Sequence, residues 1–137
     1  MKRDEQYRRK LEFILDKITN LPEKVEDNEF LTDALFYRLQ NSIDAAMDII
    51  AMLCKDSGIT VKDDYTNIEE LNELNLLPPK LLTELRKLNG LRNLLVHRNN
   101  KIEEELIFQE KKNVVKTLKN FIKKVEVVVN EKIKISE

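Results

Sequence analysis

Only two glycines, Gly58 and Gly90, and three prolines punctuate the 137 residues of this chain. Hairpin turns and sheet corners draw on glycine to reach positive φ, so a chain this poor in it has few places to reverse direction. Between these breaks lie 36% charged and 42% hydrophobic residues, the latter mostly Leu, Ile and Val at spacings of three and four. That is the helical period. An all-α fold is predicted, and the length fits one domain, residues 1–137, with a modest core.

The first helix is expected from about Asp4 to Asn20, with Leu11, Ile14, Leu15 and Ile18 as its apolar stripe. A longer second helix, from about Glu29 to Lys55, carries Leu35, Leu39, Ile43, Ala46, Ile50 and Leu53 as a bundle seam. Tyr37, Asn41, Asp44 and Asp48 fall on a different face of it. Gly58 suits the stop, because glycine accepts the left-handed conformation at a helix end. After a loop over 56–67, a short helix is expected from Asn67 to Leu74, with Asn67 as its N-cap. Pro78 and Pro79 open the next helix where a missing N–H does no harm. It runs to about His97 or Arg98, with Asn99 and Asn100 as the expected C-cap. Leu81, Leu85, Leu88, Leu91 and Leu95 form its core stripe, and Arg86, Asn89, Gly90, Asn93 and His97 its polar side. The last helix, from about Glu103 to Lys132, faces inward with Leu106, Val114, Leu118, Phe121 or Ile122, Val125 and Val128. The predicted architecture is an antiparallel bundle of four main helices plus a short one.

Several function classes fall away. A formal net charge of −1 is not the footprint of a protein that coats DNA. The single cysteine, Cys54, lies in an apolar run and reads as a buried structural thiol, which suits a reducing, cytoplasmic setting. One His, one Cys and scattered carboxylates offer no zinc-ligand spacing, and no cofactor is implied. No glycine-rich loop is available to cradle a nucleotide phosphate. The opening MKRDEQYRRK is charged throughout and leads into no signal-peptide core, and no window is long and apolar enough for a membrane span.

The informative stretch is Asn89–Asn100, NGLRNLLVHRNN, which holds the only histidine. One reading is structural: a histidine near a helix C-terminus complements the dipole. The other is chemical. Cleaving RNA through its own 2′-hydroxyl requires a proton acceptor, a proton donor for the leaving oxygen, and positive charge beside the phosphorane. An imidazole titrating near neutrality moves protons, and a guanidinium presents a fixed fork of donors that never loses its charge. The segment GLRNLLVHR resembles the Arg–four residues–His signature of the HEPN superfamily, and most closely its HepT-like toxins of HepT/MntA toxin–antitoxin systems. LQNSIDAAMDII looks like that family's second helix, and PPKLLTEL resembles its approach to the motif.

That resemblance implies a HEPN-like fold and a metal-independent endoribonuclease toxin that acts as a homodimer. It makes Arg92 and His97 catalytic, with Asn93 in support, and RNA the substrate. A nucleotidyltransferase-like antitoxin of the MntA type would hold it in check. The sequence departs from the family at Asn99, where many members carry a tyrosine that the partner silences with AMP groups.

Residues five apart on an ideal helix stand about 140° round the axis and about 7.5 Å along it. Arg92 and His97 therefore do not converge readily from one straight helix, and one imidazole does not easily serve as both acid and base. Two motif helices meeting across a two-fold axis would pool what each lacks. Asp44 is either a solvated side chain or a group that orients Arg92 or His97. Tyr7–Lys10, Lys111-Lys112 and Lys123-Lys124 are either solvated helix faces or contacts to RNA phosphates. The rival readings are a non-catalytic helical module that binds a nucleotide or partners a separate nucleotidyltransferase, and a structural dimer.

Overall fold

The computed structural model describes residues 1–25, 27–97 and 100–133. Among these described residues five helices follow one another: α1 (Arg3–Thr19), α2 (Glu29–Asp56), α3 (Asp64–Leu74), α4 (Pro79–His97) and α5 (Lys101–Val128), the last running into a π-helical turn, Val129–Ile133. Four are long and α3 is short, so the predicted bundle is the observed one.

Helix α2 is the centre of the bundle and touches each of the other four helices. Its direction relative to α1 is read from the polar contacts between them. Arg3 pairs with Asp56, Lys10 with Asp48, and Arg38 donates to the carbonyls of Asp16 and Lys17, so one sequence rises as the other falls. Helices α4 and α5 are antiparallel as well, being joined through residues 98–100 alone. The seam of α2 is buried throughout, as is the leucine stripe of α4. Truncating any one of these leucines to alanine is expected to cost about 2–5 kcal/mol.

The structure corrects the sequence reading at five places. Leu15 is exposed, and the inner stripe of α1 is Tyr7, Leu11, Ile14 and Ile18. Tyr7 earns its burial by donating its hydroxyl to Asp56 Oδ2 at 2.6 Å. Leu106 is half out and Ile107 is fully buried, which sets the α5 stripe at Ile107, Val114, Leu118, Phe121 and Val125. Asn89 is buried, so it does not belong to the polar side of α4.

Asn67 caps nothing. Asp63 is the N-cap of α3, its carboxylate accepting from the backbone N–H of Thr66 at 2.9 Å and from its hydroxyl at 2.8 Å. Those two bonds hold the Asp63 carboxyl below its usual range. Asn67 instead lies buried and pins the preceding loop: its Oδ1 accepts from Lys62 N at 2.8 Å and its Nδ2 donates to Lys62 O at 3.1 Å. Asn100 is an N-cap rather than a C-cap, accepting from Glu103 N at 2.9 Å to start α5. The other residue of that expected C-cap, Asn99, lies with Arg98 outside the described residues.

Candidate functional site

The motif helix α4 shows two sides of different character. Leu88, Leu91 and Leu95 bury themselves against the bundle, while Arg92 is part-exposed and Asn93 and His97 are exposed. Gly90 lies inside the helix, where a Cβ would meet only the Tyr65 hydroxyl oxygen at 3.8 Å, an ordinary contact. The ring of Tyr65 in turn lies under the guanidinium of Arg86, 5.7 Å from its centroid. Arg86 also pairs with Glu69 at 2.7 Å, so this arginine is spent on holding α3 to α4.

Arg92 is held differently. Its Nε donates to Asp44 Oδ1 on α2 at 2.7 Å, with both side chains about one-third exposed. A bond through Nε leaves the two terminal nitrogens of the fork open to a further anion. Asp44, which the sequence left between solvated and orienting, therefore touches the motif arginine.

A third group joins them that the sequence reading missed. Asp64, in the first turn of α3, has its carboxyl pushed above the ordinary value, chiefly by burial. The nearby charge of Arg92 opposes this, and those of Asp44, Asp48 and Asp63 add to it. Arg92 thus lies within electrostatic reach of carboxylates from two helices. The only hint in the sequence was that Asp63 also fits an N-cap, which would have started α3 early enough to bring Asp64 to its N-terminus.

His97 ends α4 in solvent, and among the described residues no hydrogen bond or ion pair joins it to Arg92, Asn93 or Asp44. Also among the described residues, no three of His, Cys, Asp and Glu gather as a metal-ligand set, and no helix is long and apolar enough to cross a membrane. Cys54 is buried, with its Sγ 3.4 Å from the carbonyl of Asn67, and burial pushes its thiol up from the ordinary value. That is the environment of an inert thiol.

The first of the expected basic runs comes apart in the structure and the second gives up Lys111, while Lys123 and Lys124 are both exposed. Tyr7 is buried on Asp56, Arg8 pairs with Asp4 and reaches Asn130, and Lys111 donates to the carbonyl of Pro22. Only Arg9 and Lys10 of the first run border Asp44.

An all-helical bundle that carries Arg92 and His97 on one helix is the fold that the resemblance to the HEPN superfamily implies. Residues 5–125 match the family described as Ribonuclease HepT-like, and the chain belongs to that family. Two relatives from Archaeoglobus fulgidus, each named "Putative RNase", support the assignment. One is 44% identical over 94% of this chain and 97% of its own. The other is 37% identical over 74% of this chain and 76% of its own. Among solved structures, the tri-AMPylated HEPN toxin of Shewanella oneidensis, in complex with its MNT antitoxin, superposes with a TM-score of 0.81 at 19% identity, covering 93% of this chain and 99% of that one. A toxin–antitoxin complex with AMP-PNP superposes at 0.80, also at 19% identity, covering 91% and 99%. Identities that low speak to the fold.

Proposed function

We propose that this chain is a metal-independent endoribonuclease that cleaves RNA through the 2′-hydroxyl at a site composed by two protomers, and that it is the toxin of a toxin–antitoxin pair. The observation that carries the reading is the Arg92–Asp44 bond of 2.7 Å beside an exposed Asn93 and His97. A guanidinium tied down only through Nε is aimed but not consumed, which is what a developing phosphorane requires. The names of the archaeal relatives support ribonuclease activity, and the complexes of the structural neighbours support an antitoxin of the nucleotidyltransferase type.

In the proposed reaction one imidazole accepts the 2′-hydroxyl proton as that oxygen attacks the adjacent phosphorus. The phosphorane's charge is taken by Arg92, with Asn93 as a further donor. A second imidazole, from the other protomer, gives a proton to the departing 5′-oxygen. The products are a 2′,3′-cyclic phosphate and a free 5′-hydroxyl. Because Asn99 offers an amide where a tyrosine would offer a phenol, restraint by AMP transfer to that position is not expected. The antitoxin would act by binding.

The test is cleavage of single-stranded RNA in EDTA, with end-group analysis for cyclic phosphate. His97→Ala is expected to lose about two or more orders of magnitude in rate. Arg92→Ala should fall comparably, and Arg92→Lys should recover little, since an ammonium cannot reproduce the fork. Equal, slow degradation by wild type and His97→Ala would transfer the case to the rival reading, a non-catalytic partner of a nucleotidyltransferase.

A further inference from the structure

The cleavage motif accounts for one end of a longer surface feature. Of the eight aromatic side chains Tyr7, Phe36 and Phe121 are buried, and two of the exposed ones, Phe13 and Tyr37, lie on either side of the α1–α2 junction. Phe13 is 42% exposed and Tyr37 64%. The ammonium of Lys17 bridges them, 5.2 Å from the centroid of Phe13 and 6.0 Å from that of Tyr37. Neither ring contributes to the inner stripes of α1 and α2, so the core gives no reason for them to be aromatic.

Beside Phe13 a groove of about 360 Å³ lies along the junction and takes in Asp44, the residue that holds Arg92; Tyr37 lies outside its lining and is linked to it through Lys17 and Phe13. Its walls include Arg9, Lys10 and Phe13 from α1 and Asn41, Asp44 and Asp48 from α2. The two strips follow helical spacing on antiparallel helices: Lys10, Phe13 and Lys17 on one side, Tyr37, Asn41, Asp44 and Asp48 on the other. Tyr37 is seven residues from Asp44, roughly 10 Å along the helix. Groove and rings together thus lead away from the residue that holds the motif arginine over about two helical turns.

Within the lining two cations, Arg9 and Lys10, stand with two carboxylates, Asp44 and Asp48. The carboxylate of Asp44 is matched by Arg92 at 2.7 Å, and that of Asp48 by Lys10 at 3.3 Å. Arg9 and Lys17 have no carboxylate partner among the described residues. At the far end Arg38 adds a further cation, donating to the carbonyls of Asp16 and Lys17. Aromatic faces interleaved with unmatched cations suit one kind of polymer, a single strand whose unpaired bases stack while its phosphates meet positive charge.

We propose that this α1–α2 groove, continued past Phe13 by Lys17 and Tyr37, carries the single-stranded RNA flanking the scissile bond, with Phe13 and Tyr37 stacking bases and Arg9 and Lys17 meeting phosphates. Asn41 lies between them as an amide able to read a base edge. The inference rests on the ribonuclease reading and adds the substrate path to it. Double-stranded RNA would not fit, because its bases have no free faces to offer the rings.

The test is fluorescence anisotropy with a labelled single-stranded RNA of about ten nucleotides, 2′-O-methylated so that it binds without being cut. Phe13→Ala and Tyr37→Ala are each expected to weaken binding about ten-fold, the usual worth of one stacked base. Tyr37→Phe should restore it, because stacking needs the ring and not the hydroxyl. Arg9→Gln should lower the slope of log affinity against log salt by about 0.7, one phosphate contact to a single strand. On the cleavable strand, the ring variants should raise KM far more than they lower kcat. If wild type binds and cleaves while the ring variants match it in affinity and KM, the groove is not the path and the proposal is overturned. It is equally overturned if the variants keep full RNA affinity but lose self-association or antitoxin binding, because the rings then belong to a protein interface. A wild type that neither binds nor cleaves RNA removes the ribonuclease reading, and the groove's role with it.

Discussion

Arg92 on α4 and Asp44 on α2, 48 residues apart in sequence, meet through a 2.7 Å bond from Nε to Oδ1. The bond fixes the direction of a side chain that would otherwise sample many rotamers, and both partners are about one-third exposed. Solvent screening at that exposure keeps the pair's contribution to stability to about 1 kcal/mol or less. Its worth lies in position. Asp44→Ala is therefore expected to leave the melting temperature nearly unchanged while RNA cleavage falls about ten- to a hundred-fold, the scale on which misplacing a catalytic group acts. Asp44→Asn keeps an acceptor for Nε and should fall between the two. Parallel thermal melts and single-turnover cleavage check this, and a large loss of stability with intact activity would assign Asp44 a structural role.

Asp64 gives a pH signature. Burial raises its pKa first, the charge of Arg92 opposes the shift, and Asp44, Asp48 and Asp63 reinforce it. Its place in the first turn of α3 would favour the charged form through the helix dipole, so two effects compete and the net direction is upward. A carboxyl with a raised folded-state pKa contributes stability that is fully present below its unfolded pKa. That contribution is lost as pH rises through the folded value. Asp64→Asn should accordingly raise the melting temperature at neutral pH, and the gain should vanish below about pH 4, where the unfolded carboxyl is also protonated. A lowered melting temperature at neutral pH would show that the helix dipole prevails.

The parts of this structure written in local periodicity were legible in the sequence. The leucines of α4 and the seam of α2 recur at threes and fours and are buried where the period puts them. Errors came where one helix position decides between core and rim. Leu15 and Ile14 are neighbours, as are Leu106 and Ile107, and only packing against α5 or α2 selects which turns in. The polar residues were harder, because Asp63, Asn67 and Asn100 all suit an N-cap and composition does not rank them. The reach of Asp44 to Arg92 is tertiary, and spacing along α2 placed Asp44 on a face without saying what that face met. Asp64 depends on how α3 is laid across α2 and α4, which no local pattern encodes.

Asn67 supplies a stability test of that tertiary reading. Both ends of its side-chain amide are engaged with Lys62, and its backbone carbonyl receives the Cys54 thiol at 3.4 Å. Asn67→Ala leaves the backbone groups of Lys62 without these partners, at a cost of about 1–3 kcal/mol. Asn67→Asp should be no better near neutral pH, because a carboxylate cannot donate to Lys62 O and its charge would be buried. Chemical denaturation of both variants checks this. If Asn67→Ala proves neutral while loss of the Asp63 side chain is severe, the α3 cap rather than the pin sets the loop.

Gly90 separates folding from function within the motif itself. It lies in the interior of α4 at helical, not positive, φ, where glycine is less favourable than alanine by about 0.5–1 kcal/mol. The added methyl would find the Tyr65 hydroxyl at 3.8 Å, an ordinary contact, so nothing in the fold opposes it. Gly90→Ala is expected to stabilise the protein by roughly that amount, measured by denaturant titration. The residue stands two positions before Arg92, on the motif helix where the proposed reaction brings RNA close. If cleavage falls while stability rises, the glycine is there for the approach of RNA or of a second protomer rather than for the helix. If both rise together, the position is free of function and GLRN reduces to its arginine and asparagine. Destabilisation by more than a few tenths of a kcal/mol, against the propensity expectation, would mean that Tyr65 cannot yield even the small space the geometry grants it.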